Sequence, residues 1–237
     1  MSNSEMEQLV KELNKNCPIN YKLLSATSYA CEGKDIVIEY VMDEDKIVYS
    51  NLTDSALYNI WRLCCLDEVS PTDKDIFKSI VASGYGLKCN FKGSMSQKKM
   101  TLDVSNEKLK NNKPITQEEI IATLVAIDRN GLPKDVDRVT KIVDFKAEKE
   151  NLIYVYEIDE TSFDISQIES NGQYKENGMT VIGNELRYNT LTGVLYRQVA
   201  LSGRGICHRY IGKSSGKVVD VQFSNAELRQ IADQAGL

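Results

Sequence analysis

The chain has 237 residues, 42% hydrophobic and 27% charged, with a net charge of −5. That make-up excludes wholesale disorder, and the acidic balance excludes a generally basic nucleic-acid surface, which needs a concentrated basic stripe. No stretch reaches the roughly 18 apolar residues of a membrane span. The polar, acidic residues 1–8 do not form a signal peptide, so a native Met1 implies the cytoplasm and a removed leader implies export.

In chain order, Ser4-Glu5-Met6-Glu7 reads as a capping box that opens a helix through Leu9, Val10 and Leu13. Strand-like runs at 21–29 and 36–42 follow, with Glu32-Gly33-Lys34 between them as a hairpin turn, and Asp43-Glu44 closes the second. Helices are expected at 56–66 and 75–83, then a second hairpin that contains Leu87 and Phe91. After a polar junction at 111–114 the series begins again. Thr116-Gln117-Glu118-Glu119 opens a helix through Ile120, Ile121, Leu124 and Val125. Strands at 139–147 and 152–158 flank Glu148-Lys149-Glu150, and Asp159-Glu160 closes them. Helical segments are expected at 185–188 and 194–201, then a hairpin, then a short helix opened by Ser224 and Glu227.

Residues 77–110 align without a gap on 196–229. Ser83, Gly84, Gly86, Gly93, Lys98, Ser105, Asn106 and Leu109 meet identical residues at 202, 203, 205, 212, 217, 224, 225 and 228. The chain therefore reads as an internal duplication: an α+β fold of two modules, residues 1–110 and 115–237. Each module reads helix–hairpin–helix–hairpin, with an antiparallel four-stranded sheet under one helical layer. A pseudo-twofold relation is expected, as in a dimer fused into one chain. Period-two alternation points Ile36, Ile38 and Tyr40, and likewise Leu152, Tyr154 and Tyr156, inward, with Val37, Glu39, Ile153 and Glu157 outward.

Each feature that could carry chemistry has a structural reading. Ser83-Gly84-Tyr85-Gly86 and Ser202-Gly203-Arg204-Gly205 follow helices, whereas a phosphate loop precedes one, so the glycines read as helix C-caps. His208, the single histidine, shares a strand face with Ile206 and Tyr210 and aligns with Cys89, which suits a half-buried packing position. Five of the six cysteines lie in the first module and no Cys-x-x-Cys spacing occurs, so free thiols are expected. Lys92, Lys98 and Lys99 read as the guard of a strand edge. Asp43-Glu44 and Asp159-Glu160 read as turn residues, not an acid–base pair. Tyr40, Tyr154 and Tyr156 are packing residues or, alternatively, a binding surface. No catalytic residue, cofactor or metal site is assigned, and the chain is read as non-enzymatic.

The run Leu132-Pro133-Lys134-Asp135-Val136-Asp137-Arg138-Val139-Thr140, then Asn151-Leu152-Ile153-Tyr154-Val155-Tyr156, then the strand entry from Gly203 to Tyr210, resembles the α/β class of type II secretion pilotins. The resemblance covers about 90 residues, mainly in the second copy, and here the module is doubled and the family's paired cysteines have no counterpart. It implies a non-enzymatic binding module of an exported envelope protein. The expected function is protein binding, by a groove between sheet and helix or by strand addition at an open edge. The rival expectation is a small ligand or glycan held in the cleft between modules.

Overall fold

The computed structural model of the chain describes residues 2–21, 23–45, 52–67, 71–170, 172–188 and 191–234. It divides into two compact units, Met1–Thr116 and Gln117–Leu237.

In the first unit, helix α1 (Asn3–Lys15) leads to strands β1 (Ile19–Tyr21), β2 (Leu24–Glu32) and β3 (Asp35–Met42). Helix α2 (Asp54–Arg62) runs into a π-helical turn (Leu63–Asp67), and α3 (Pro71–Ala82) follows. Strands β4 (Gly86–Gly93) and β5 (Lys99–Val104) and the short helix α4 (Asn106–Lys110) complete it. The second unit runs α5 (Gln117–Arg129), β6 (Lys134–Asp135), β7 (Thr140–Ala147), β8 (Asn151–Ile158), α6 (Ser166–Ser170), α7 (Gln173–Tyr188) and α8 (Leu191–Leu201). It ends with β9 (Gly205–Gly212), β10 (Val218–Phe223) and α9 (Asn225–Gln234).

The sheets have five strands, not the expected four, in the orders β1-β2-β3-β4-β5 and β10-β9-β8-β7-β6. Nor are they wholly antiparallel: β3 pairs parallel with β4, and β8 with β9. Helices link these strands, and a helical crossover between neighbouring strands returns the chain in the same direction. The fifth strand in each case is a two- or three-residue piece beside a proline, too short for periodicity to register.

The same local devices recur in both units. Register slips by one residue between Ala26 and Ser28 and again between Ile142 and Asp144, a bulge at one place in each β2/β3-type hairpin. Asn106 donates to the Val81 and Tyr85 carbonyls, and Asn225 to those of Ala200 and Arg204, all within 2.9 Å. Gly84 and Gly203, at φ 84° and 83°, end α3 and α8 in the left-handed conformation that glycine adopts without strain.

Apolar side chains explain the layering. Ile36, Ile38, Tyr40, Leu87, Cys89 and Phe91 of the strands and Met6, Val10, Leu57, Ile60 and Trp61 of the helices are all buried. In the second unit Leu152, Tyr154, Phe145, Ile206 and Phe223 of the strands and Ile121, Leu124, Leu186, Leu195 and Val199 of the helices are again all buried. One-sidedness fails on both central strands: on β3, Val37, expected outward, is as buried as Ile38 (6% exposed each), and the failure is wider on β8. Ile153 (4% exposed) and Val155 (9%) are buried on the opposite face with Cys207 and Ile211. Their register partners on that face are Lys146 and Arg209.

Two helix starts also differ from expectation. The first capping box is Ser2 with Glu5, two residues before Ser4. Helix α7 starts twelve residues before 185, through a stretch that contains Asn177 and Gly178. Glycine is there because the backbone abuts Phe223: a Cβ at Gly178 would lie 2.3 Å from its Cζ.

Candidate functional site

The paired carboxylates brace turns. Glu44 Oε2 accepts from the backbone N–H groups of Met95 (2.6 Å) and Ser96 (2.7 Å). Glu160 Oε2 accepts from those of Ser214 (2.9 Å) and Ser215 (2.8 Å), and its Oε1 from the Ser215 hydroxyl. The serine hydroxyl and these N–H groups hold both carboxyls below the usual carboxylate range. Asp43 and Asp159 each accept from the backbone N–H two residues on. Each pair therefore ties the end of a central strand to the β4–β5 or β9–β10 hairpin.

The tyrosines do not form a surface platform. Tyr40 (3% exposed) stacks on Phe91 at 5.2 Å, and its hydroxyl accepts from Trp61 Nε1 at 3.4 Å. It lines a small half-open cavity of about 60 Å³ with Leu13, Tyr29, Ile38, Trp61 and Phe77, among others. A dry apolar cavity of about 150 Å³ is what benzene occupies, so this one takes a few atoms at most.

At the corresponding place in the second unit the lining becomes polar. Register and repeat put Tyr154 where the first unit has Ile38, Tyr196 for Phe77, His208 for Cys89 and Tyr210 for Phe91, and Asp128 stands in the last turn of α5. Tyr154 stacks on Phe145 at 4.2 Å and meets Tyr196 edge-on at 6.4 Å. Tyr156 is half-buried and stacks on Tyr210 at 4.8 Å. His208 packs among Tyr154, Tyr156 and Phe223, with ring centroids 5.1 to 5.4 Å away. His208 Nε2 is buried without a hydrogen-bond partner, and the hydroxyls of Tyr154 and Tyr196 face each other.

Burial lowers the His208 imidazole to about 4. It raises the Asp128 carboxyl to about 6, with Lys134 pulling the other way and Glu185 adding to the rise. Burial likewise raises the phenols of Tyr154, Tyr156 and Tyr196. Asp128 and Tyr196 escape a reading of either copy alone, since both sit at core spacing in helices. Comparison with the aligned Phe77 is the signal that finds Tyr196, and no sequence signal marks Asp128.

A second feature lies at the free edge of the second sheet. A groove of about 410 Å³ runs along β10 at residues 218–222, and Ile168, Glu169, Tyr174 and Lys175 form its far wall. Lys217 bonds to Ser166 at 3.0 Å and pairs with Glu169 at 3.3 Å, which fixes α6 beside the strand. Val218 stands 53% exposed on this edge, while the aligned residue of β5 is Lys99. Asp220 is held in a two-pronged pair with Arg209 at 2.8 and 2.9 Å.

Among the described residues, no group of three or more His, Cys, Asp and Glu side chains is placed to share a metal ion. Nor is any described helix long and apolar enough to cross a membrane. All six cysteines are free thiols, with Cys64, Cys89 and Cys207 buried.

No protein-family model matches the chain, and no curated protein matches it in sequence. Among solved structures it is similar to a candidate secreted protein from Pseudomonas aeruginosa, with 15% identity over 48% of this chain and 93% of that one and a TM-score of 0.35. A likeness that slight bears on neither fold nor function.

Proposed function

We propose that the chain is a non-enzymatic protein-binding module that takes an extended segment of its partner as an added strand on β10. The observation that carries this reading is the groove beside β10. Every second residue of an edge strand directs its N–H and C=O away from the sheet. Among the described residues, no backbone group pairs with the outer edge of β10. The wall formed by α6 and the start of α7 leaves room for a chain to lie against that edge. Soluble proteins commonly guard such edges with lysine. The first unit does so with Lys99, whereas the second exposes Val218 at the same place. Main-chain pairing supplies affinity in this mode, and pockets for alternate side chains supply selectivity.

The duplication belongs to the same proposal. One ancestral module was copied, the first copy kept a guarded edge, and the second opened its edge for binding. The resemblance to the α/β pilotins, drawn from the run 132–140 and the strand 151–156, suits an exported binding module of this kind.

The test is selection of peptides from a random displayed library on the full chain, then affinity measurement by fluorescence anisotropy. Val218→Lys, which copies the guarded edge, should weaken a selected peptide at least ten-fold. Lys99→Val in the first unit should leave it unchanged. Failure to select any peptide, or equal binding by wild-type and Val218→Lys protein, would refute the edge reading.

A further inference from the structure

We infer that the segment taken up along β10 carries two apolar side chains three residues apart, one for each face of the sheet, and no charge at either, a choice of ligand that rests on the edge reading above. Gly212 N–H donates to the Lys217 carbonyl at 2.9 Å, and register then runs residue for residue along β9 and β10. Residues 217, 219, 221 and 223 therefore turn their polar groups towards β9, while Val218, Asp220 and Gln222 turn theirs to the open edge. A strand added there pairs along 218–222, and each of its side chains lies beside one side chain of β10 on the same face.

The two faces of β10 offer one apolar place each. On the helix-facing side Val219 and Phe223 are buried. Val221 between them is only half-buried, whereas the longer Leu102 at the aligned place in the first unit is buried. Val221 and Tyr174 both pack against the cluster of Ile158, Ile165, Ile168 and Val219, and both line the groove. An apolar side chain beside Val221 extends that cluster. On the other face exposed Val218 has Ile211 as its register partner, and Ile211 packs against Ile153, Val155 and Cys207. An apolar side chain beside Val218 covers it. Because 218 and 221 are three apart on opposite faces, the two apolar residues of the ligand are three apart whichever way it runs. Its residue beside Asp220 meets a polar side chain and is free to be polar. Glu169, Lys175 and Asp220 line the groove, and each is already paired within the unit, with Lys217 at 3.3 Å, Glu227 at 2.7 Å and Arg209 at 2.8 Å. A charge seated beside Val218 or Val221 would lose water and meet no unpaired counter-ion among these three.

Peptides selected on the full chain from the displayed library are sequenced, synthesised and measured by fluorescence anisotropy. They should share two apolar residues three apart. Aspartate or lysine at either should weaken binding at least ten-fold, while serine at the position beside Asp220 should be tolerated. Val221→Leu, which copies Leu102 and fills the helix-side place, should weaken binding several-fold. Affinity should not fall between about 0.1 M and about 1 M sodium chloride, over which the reach of charge interactions shrinks from about 10 Å to about 3 Å. Peptides that are lost on Val218→Lys yet share no apolar pair, accept charge at both places or loosen in high salt would overturn this assignment and leave the edge reading standing. Peptides indifferent to Val218→Lys, or none selected, would overturn both. A dimer of the free chain that Val218→Lys dissociates would make a second copy the occupant and overturn it as well.

Discussion

Asp128 and His208 sit in one layer of the second unit and titrate in opposite senses. Burial holds the Asp128 proton to about 6, above its unfolded value near 3.9, so the folded state binds that proton more tightly. The stability it contributes is present at low pH and lost as pH rises through about 6. His208 is lowered to about 4 from an unfolded value near 6.5, so its contribution is present above that value and lost as pH falls towards 4. Across this window the two partly cancel in the wild-type protein, and single variants separate them. The gain in melting temperature of Asp128→Asn over wild type should grow between pH 4 and pH 6.5. The deficit of His208→Ala should widen over the same range. Thermal melts at stepped pH check both, and a difference independent of pH would show that the group is not buried as described. A packing role for His208 was legible from its alignment with Cys89, but its unpartnered nitrogen was not, since no sequence pattern reports a missing hydrogen bond.

At the scale of elements, strands and turns were legible and the crossovers were not. Alternation marked β2, β3, β7 and β8, and capping residues marked α5 and α9. Parallel pairing of β3 with β4 is a property of the connection, which local periodicity does not encode. Helix α7 was hidden because Gly178 and its neighbour Asn177 are poor helix formers, and tertiary packing outweighs that propensity. The close approach of Gly178 to Phe223 gives a direct check. Gly178→Ala is favourable by helix propensity, yet its methyl must displace a fully buried ring. Overpacking of this kind costs about 1–3 kcal/mol, so chemical denaturation should show net destabilisation. A stabilised variant would mean that the α7–β10 packing is looser than described. Val218 on β10 was equally open to view in the aligned pair Lys99 and Val218, but its exposure becomes informative only once β10 is known to be the edge.

Across the whole molecule, the matched residues of 77–110 and 196–229 correspond to matched geometry. The glycine caps, the Asn106 and Asn225 side-chain bridges and the Glu44 and Glu160 turn braces recur unit for unit. Residues that serve the backbone are alike in the two units, while side chains of the inner layer and the sheet edge differ. Recurrence made the architecture legible. Divergence is where function is sought, and it is visible only after each residue has been placed on its face or edge. On this account the second unit binds and the first retains the closed form of the same module. The most direct test is hydrogen exchange of the full chain with and without a peptide selected on it. Added protection should fall on the amides of 218–223 and leave the equivalent strand 99–104 unchanged. Protection on 99–104, or on helices alone with β10 unaffected, would contradict it.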